Sequence, residues 1–214
     1  MTENLYKIRE EIANGISHGI GVIFGIVALV VLVTLSINQK SLLSIVAFSI
    51  YGASLILMYL CSTLYHSIIN KKAKKVLRVF DHSSIYLFIA GTYTPISLLA
   101  LRGNLRIGIL VIIWTIAILG VSFKIITYKK IDKFKKLSLS IYLLMGWIAI
   151  LTIKSIVSAT SLGFFIWLLS GGLLYSLGTI FYSNKSLPYS HAIWHIFVLA
   201  ASIVQFLGIF IHLT

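Results

Sequence analysis

Acidic residues are scarce in this sequence. Five Asp and Glu stand against eighteen Lys and Arg, and residues of either charge make up only 11% of its 214 residues. A positive excess of this size is also found in nucleic-acid-binding proteins, but here the basic residues fall in short stretches between long apolar runs. In that position they orient membrane segments and meet anionic lipid headgroups. The charge pattern therefore predicts membrane lipids as partners, and no nucleic acid.

Cysteine is nearly absent as well. Cys61 is the only one and falls inside an apolar run, which excludes an intrachain disulfide and a CxxC metal or redox motif. The sequence also lacks a P-loop, a Rossmann glycine fingerprint and a GxSxG nucleophile motif. Chemistry based on paired thiols or on a bound nucleotide is therefore not expected.

Apolar residues are abundant instead. They make up 59% of the chain, and the mean hydropathy is +1.01, which is more than a soluble domain of this size can bury. A membrane-spanning helix needs about 20 apolar residues, and seven such runs are found. They lie at 15–36, 42–67, 81–101, 105–127, 137–155, 161–182 and 188–212. We predict an all-α integral membrane protein, a seven-helix bundle that forms one domain over residues 1–214.

The orientation of these spans in the membrane can be predicted from the distribution of basic residues. Residues 1–14 are polar and carry no cleavage site, so they are expected to form a short segment before an uncleaved first span. Basic residues cluster on the side of this segment, at Lys7, Arg9, 71–78, 124–136 and Lys185. The positive-inside rule then predicts a cytoplasmic N-terminus and, with seven spans, an outside C-terminus.

Two prolines lie within or at the start of the predicted helices. Pro95 is expected to kink the third span, and Pro188 suits the first turn of the seventh.

Five of the six histidines fall at the helix ends on the predicted cytoplasmic side, together with three other polar residues. The residues at these ends are Asn14, His18, Ser62, His66, Asp81, His82, His191 and His195. Only His212 is placed at the opposite face. Ionisable groups in a membrane are costly to bury, so they usually pair, face the bundle interior or bind an ion.

A metal site explains this clustering best. His191 and His195 are four residues apart, so their rings lie on one face of a helix. An HxxxH pair alone is a weak signal, but His66 lies at the same depth on another helix. Three neutral imidazoles are the ligand set that leaves zinc a fourth position for water. We therefore predict that Zn²⁺ is bound by His66, His191 and His195.

Three of these residues also have a purely structural interpretation. His66 is compatible with a histidine at the membrane interface, and Ser62 with a hydrogen bond to its own helix. Asp81 stands where it could orient a catalytic water or simply cap the third helix.

The remaining polar residues are expected to surround the ligands. Asn14 and His18 lie one turn apart at the start of the first span. His82 lies about 100° around the helix from Asp81, so we leave it out of the ligand set.

Four motifs resemble those of the hemolysin III proteins, the bacterial branch of the progestin and adipoQ receptor family. They are EEIANGISHGIG at 10–21, STLYHS at 62–67, FDHSSIYLFIAGTYTP at 80–95, and YSLGTIFY with PYSHAIWHIFVL at 175–199. The resemblance implies seven helices in the bacterial plasma membrane. It also implies zinc on His66, His191 and His195, with Ser62 and Asp81 beside it as catalytic residues. The chain departs from the receptors at His82, where they carry tyrosine.

Three functions are compatible with these observations. The resemblance links related receptors to the hydrolysis of ceramide amides, which favours a zinc-dependent lipid amide or ester hydrolase acting in membrane lipid homeostasis. A second hypothesis is a non-catalytic membrane sensor with a structural zinc. A third is a pore-forming cytolysin, but its segments should be amphipathic, whereas these spans are apolar almost all round.

Overall fold

The computed structural model describes residues 2–184 and 186–214, so Lys185, counted above among the basic residues, lies outside the described part. The fold is helical, with no strand among the described residues. The helices are α1 (Thr2–Asn38), α2 (Leu42–Ser67), α3 (Lys71–Pro95), α4 (Gly103–Ile126), α5 (Lys135–Trp147), α6 (Ile153–Ala159), α7 (Leu162–Ser183) and α8 (Ser190–Leu213). Within this part of the chain, seven helical segments are long and apolar enough to cross a membrane, as predicted.

The outer surface of the bundle is apolar and its centre is aromatic. Isoleucines such as Ile16, Ile20 and Ile23 on α1 point outwards, as expected for side chains that face lipid. The interior is filled by large side chains, including Tyr51 and Tyr59, which are fully buried. The most deeply buried span is that of α3. Its central position brings the polar residues of α3 close to several other helices.

The start of α3 differs from the prediction. The side chain of Asn70 accepts hydrogen bonds from the amides of Lys72 at 2.9 Å and Ala73 at 3.1 Å, so the helix begins at Lys71 rather than at residue 81. Asp81 therefore lies well inside the helix, and the interpretation of Asp81 as a helix cap is wrong. The basic stretch 71–78, which we had expected to be a loop, forms the first turns of α3.

The first helix is also longer than predicted. It begins at Thr2 rather than at residue 15, so residues 2–14 are helical and continue directly into the first span. Its 37 residues span roughly 55 Å, well beyond the hydrocarbon core of about 30 Å. The first turns of α1 therefore extend past the apolar layer and carry Glu11 and Asn14 to the polar end of the bundle.

Irregular turns interrupt two of the spans. The α-helix of the third span ends at Pro95, where a π-helical turn over Ile96–Ala100 takes over. The fifth span, predicted as one helix over 137–155, consists of α5, a 3-10 segment over Ile148–Thr152, and α6.

Pro188 does not lie in the first turn of α8. The helix begins at Ser190, after Tyr189 in a left-handed conformation with φ of 56°. Pro188 therefore belongs to the turn that precedes the helix, which corrects the predicted position.

The orientation of the bundle stays a prediction, and thiol labelling in cells can test it. In a background with Cys61→Ser, we expect Gln39→Cys to react with a membrane-impermeant maleimide in intact cells. Lys129→Cys, which is exposed at the other end of the bundle, should react only after the cells are permeabilised. The reverse pattern would contradict a cytoplasmic N-terminus.

Candidate metal centre

Three histidines from two helices converge at one end of the bundle, which we call the histidine end. His66 lies in the last turn of α2, and His191 and His195 lie in the first turns of α8. One nitrogen of each ring lies within 4.8 Å of the corresponding nitrogens of the other two. Among the described residues, this is the only group of three or more His, Cys, Asp or Glu side chains arranged closely enough to hold a metal ion. The three residues are those predicted from the sequence.

Two of these rings present a buried nitrogen without a partner. The Nε2 atoms of His66 and His195 are shielded from solvent and form no hydrogen bond with the protein. An unpaired buried polar atom costs about 1–3 kcal/mol, so two of them side by side are unfavourable unless a ligand satisfies both. A divalent metal with a preference for nitrogen ligands suits such a pair. The residues therefore fit a metal ion.

The other ring nitrogen of His66 is already engaged. Its Nδ1 lies 2.8 Å from Glu11 Oε2, and Lys74 Nζ lies 3.0 Å from the same carboxylate oxygen. A carboxylate oxygen only accepts hydrogen bonds, so the proton of the neutral ring sits on Nδ1. This leaves the lone pair of His66 Nε2 directed at the proposed metal position.

His195 is also held through its Nδ1 atom, which leaves its Nε2 atom without a partner. Its Nδ1 lies 3.2 Å from the backbone oxygen of Asn14 and 3.2 Å from Ser17 Oγ. The Ser17 hydroxyl itself donates to the Asn14 oxygen at 2.9 Å, so Ser17 Oγ is free to accept from the ring. Helix α1, which supplies no ligand, thus orients a ligand from α2 and another from α8.

The remaining histidines do not join the group of three. The His18 ring is stacked on His195 with centroids 3.5 Å apart, and both of its nitrogens lack a hydrogen bond. His82 lies at the edge of the polar chamber described below, and His212 contacts Ser161 at the opposite end of the bundle.

Asp81 and Ser62 lie beside the histidines. Ser62 is buried, and its hydroxyl forms no hydrogen bond. It lies near the Asp81 carboxylate, which also interacts electrostatically with His66. The structure thus brings together both residues that were predicted to be catalytic, without placing them in hydrogen-bonding geometry.

Two cavities meet at Asp81. A polar chamber at the histidine end is lined by Glu11, His66, Asp81 and His191, among others. An apolar cavity of about 130 Å³ lies between α3, α5, α7 and α8, and Asp81 and His18 contribute to its wall. Its other walls are formed mainly by apolar side chains such as Phe88 and Leu168.

Cationic side chains surround the polar chamber. Arg78 forms a two-armed ion pair with Asp132, with Nη1 at 3.0 Å from Oδ2, and so ties α3 to the turn before α5. Lys135 lies over the ring of Tyr182, with Nζ 3.8 Å from its centroid. Lys124 on α4 is almost fully buried, with Asp81 among its electrostatic neighbours.

Sequence reasoning missed the parts played by Glu11, Ser17 and Lys74. A signal was present for the first, because Glu11, Asn14 and His18 are spaced as neighbours on one face of a helix. The ion pair between Glu11 and Lys74 had no such signal, since the residues are far apart in the chain and Lys74 was assigned to a loop.

Comparisons with known proteins agree with this architecture. A family model described as Haemolysin-III related matches residues 6–206. The chain is 49% identical over 202 residues to the Hemolysin-3 homolog of Bacillus subtilis (strain 168), covering 94% of this chain and 93% of that protein. It is 47% identical over 206 residues to Hemolysin-3 of Bacillus cereus, covering 96% and 93%. A human relative, the Monocyte to macrophage differentiation factor, is 32% identical over 170 residues, covering 77% and 69%.

The fold and the relatives define a multi-pass membrane protein with a candidate three-histidine metal site. The chain belongs to the hemolysin III family. This confirms the family that the motifs indicated and agrees with a location in the bacterial plasma membrane.

Metal analysis of the detergent-purified protein tests the site directly. We expect close to one transition-metal ion per chain in the wild type and at least tenfold less in His195→Ala, because a ligand is lost. His212→Ala is the matched control, since it removes an imidazole at the opposite end and should leave the metal content unchanged. Equal metal in all three proteins, or none in the wild type, would contradict a histidine-bound metal.

Proposed function

We propose that this protein is a membrane-embedded zinc-dependent hydrolase that cleaves an amide or ester bond of a long-chain lipid. The observation that supports it most strongly is the position of Asp81, which lines both the polar chamber with its histidines and the apolar cavity. A lipid with its chain in the apolar cavity would have its polar linkage close to Asp81. Lipid turnover of this kind would place the protein in membrane lipid homeostasis.

The residues present would hold zinc through His66, His191 and His195. The ion would supply Lewis acidity, which polarises a carbonyl group and makes a water molecule more acidic. Neutral imidazoles suit zinc better than magnesium or calcium, which prefer oxygen ligands.

Asp81 would transfer the proton of the attacking water, and Ser62 would hydrogen-bond to the Asp81 carboxylate. A carboxylate oxygen of Asp81 accepts a proton from the water that attacks the carbonyl carbon, and later returns it to the departing nitrogen or oxygen. The products are a fatty acid and an amine or alcohol. The Ser62 hydroxyl, which has no hydrogen-bond partner, lies near the carboxylate and would donate a hydrogen bond to it.

The apolar cavity would select the substrate. Its walls are mainly aliphatic and aromatic, with Phe88, Leu143, Leu168 and Val198 among them, so a hydrocarbon chain could pass from the bilayer into this cavity without being exposed to water. The same walls keep bulk water away from the reacting bond.

A structural role for the metal is the second candidate. The ligands join the end of α2 to the start of α8, and the hydrogen bonds that these histidines donate to Glu11 and to the Asn14 backbone oxygen add α1 to the same cluster. A metal clamp on three helices could couple the state of the bilayer to the basic face of a membrane sensor without turnover.

The lytic hypothesis draws on the names of the family and of the two Bacillus relatives. Its physical support is weak, because the outward-facing side chains of the described spans are mostly isoleucine, leucine and valine. A pore needs segments with a polar stripe.

Turnover by purified variants separates catalysis from structure. We expect the zinc-loaded wild type to release fatty acid from at least one long-chain amide or ester. Asp81→Asn should keep its zinc but lose activity by about 10²–10⁴-fold, the usual contribution of general acid–base catalysis. His66→Ala should lose both zinc and activity.

Asp132→Asn is the matched control, since it alters a carboxylate at the edge of the same chamber. It should keep most of the activity. No turnover across a broad panel of lipid amides and esters, with zinc bound, would contradict the hydrolase. Activity in Asp81→Asn equal to that of the wild type would contradict the role of Asp81.

A further inference from the structure

We propose that Glu11 is the positioning residue of the metal centre. Its carboxylate selects the tautomer of His66 that leaves Nε2 available for the metal, and it holds the ring in that orientation. The inference rests on the metal site of the proposed function, and does not depend on whether the site hydrolyses a lipid.

The contact geometry supports this role. Glu11 Oε2 lies 2.8 Å from His66 Nδ1, a short distance that is typical of hydrogen bonds to a charged acceptor. The side chain of His66 is only 4% exposed, so no water competes efficiently for Nδ1. On the far side of the ring, Nε2 is buried and unpaired. Metal-ligating histidines commonly donate their other ring N–H to a carboxylate. The carboxylate then fixes the orientation of the ring and increases its basicity.

A competing contact makes the carboxylate necessary. Asn14 Nδ2 lies 3.4 Å from the same His66 Nδ1, and an amide NH₂ group donates hydrogen bonds. If it donated to Nδ1, the ring proton would move to Nε2 and block the metal. The carboxylate is closer, charged and unable to donate, so its contact outweighs that of the amide.

Lys74 restrains the carboxylate from a third helix. Its Nζ lies 3.0 Å from Glu11 Oε2, and the two side chains are 28% and 38% exposed. An ion pair this exposed contributes about 1 kcal/mol or less to stability. Its effect is therefore mainly geometrical, since it ties Glu11 on α1 to α3 while Glu11 holds His66 on α2.

The other oriented ligand does not depend on a carboxylate. His195 Nδ1 donates to the backbone oxygen of Asn14 and to Ser17 Oγ, and the backbone contact survives any side-chain substitution. Among the described residues, Glu11 is the only carboxylate that forms a hydrogen bond with a ligand histidine.

Zinc competition against a chelator, using purified full-length protein, tests the proposal. Glu11→Gln keeps the size of the side chain but removes its charge and adds an amide donor, so we expect zinc to bind 10–100-fold more weakly. Glu10→Gln is the matched control, since Glu10 is the preceding residue and lines the same chamber without a hydrogen bond to a ligand. Its zinc affinity should equal that of the wild type.

Two further readouts distinguish positioning from a role in folding. With the metal removed, the melting temperatures of Glu11→Gln and Glu10→Gln should agree. With Co²⁺ in place of zinc, the visible absorption of Glu11→Gln should differ from that of Glu10→Gln, because His66 is no longer held in one orientation.

Three results would overturn the proposal. The first is equal zinc affinity in the two variants. The second is weaker binding in Glu11→Gln with a lower metal-free melting temperature and an unchanged cobalt spectrum, which would mean that Glu11 supports only the fold. The third is a wild type that binds no metal, which would remove the proposed site as well. Since none of these readouts is turnover, failure of the hydrolase proposal alone would be recognised separately.

Discussion

The structure depends on the burial of histidine rings inside a membrane protein. His66 and His195 each keep a ring nitrogen away from water and without a hydrogen bond, and His18, whose two ring nitrogens also lack a hydrogen bond, is stacked on His195. In an apolar bundle these unpaired atoms cost several kcal/mol together. A cation bound by the three ligands would satisfy the Nε2 atoms of His66 and His195 and would tie α2 to α8. The proposed metal therefore accounts for two of these unpaired atoms, while His18, which is not a ligand, is held by stacking on His195.

Helix α1 contributes to this arrangement without supplying a ligand. Glu11, Asn14 and Ser17 occupy the Nδ1 atoms of two ligands, so that both Nε2 lone pairs face inwards. This requires α1 to extend beyond the apolar layer, which its length of 37 residues allows. On the other side, Asp81 connects the histidines to the apolar cavity. The site thus has one wall that orients ligands and another that is lined by apolar side chains.

Much of this could be predicted from the sequence, because the bilayer imposes simple rules. The length of apolar runs reveals seven spans, and their alternation brings His66, His191 and His195 to one end. The start of α3 could not be predicted from charge, because residues 71–78 resemble a basic loop. The local signal for the start of this helix is the capping side chain of Asn70. The contact between Glu11 and His66 depends on how α1 packs against α2, which no short-range pattern encodes. The stacking of His18 on His195 likewise follows from tertiary packing alone.

We propose that three imidazoles from α2 and α8 hold one zinc ion. X-ray absorption spectroscopy at the zinc edge of the purified protein tests this most directly. The account predicts a first shell that contains nitrogen at about 2.0–2.1 Å, with outer-shell scattering from three imidazole rings that falls to two in His191→Ala. A shell of oxygen or sulfur alone, with no imidazole scattering, would contradict it.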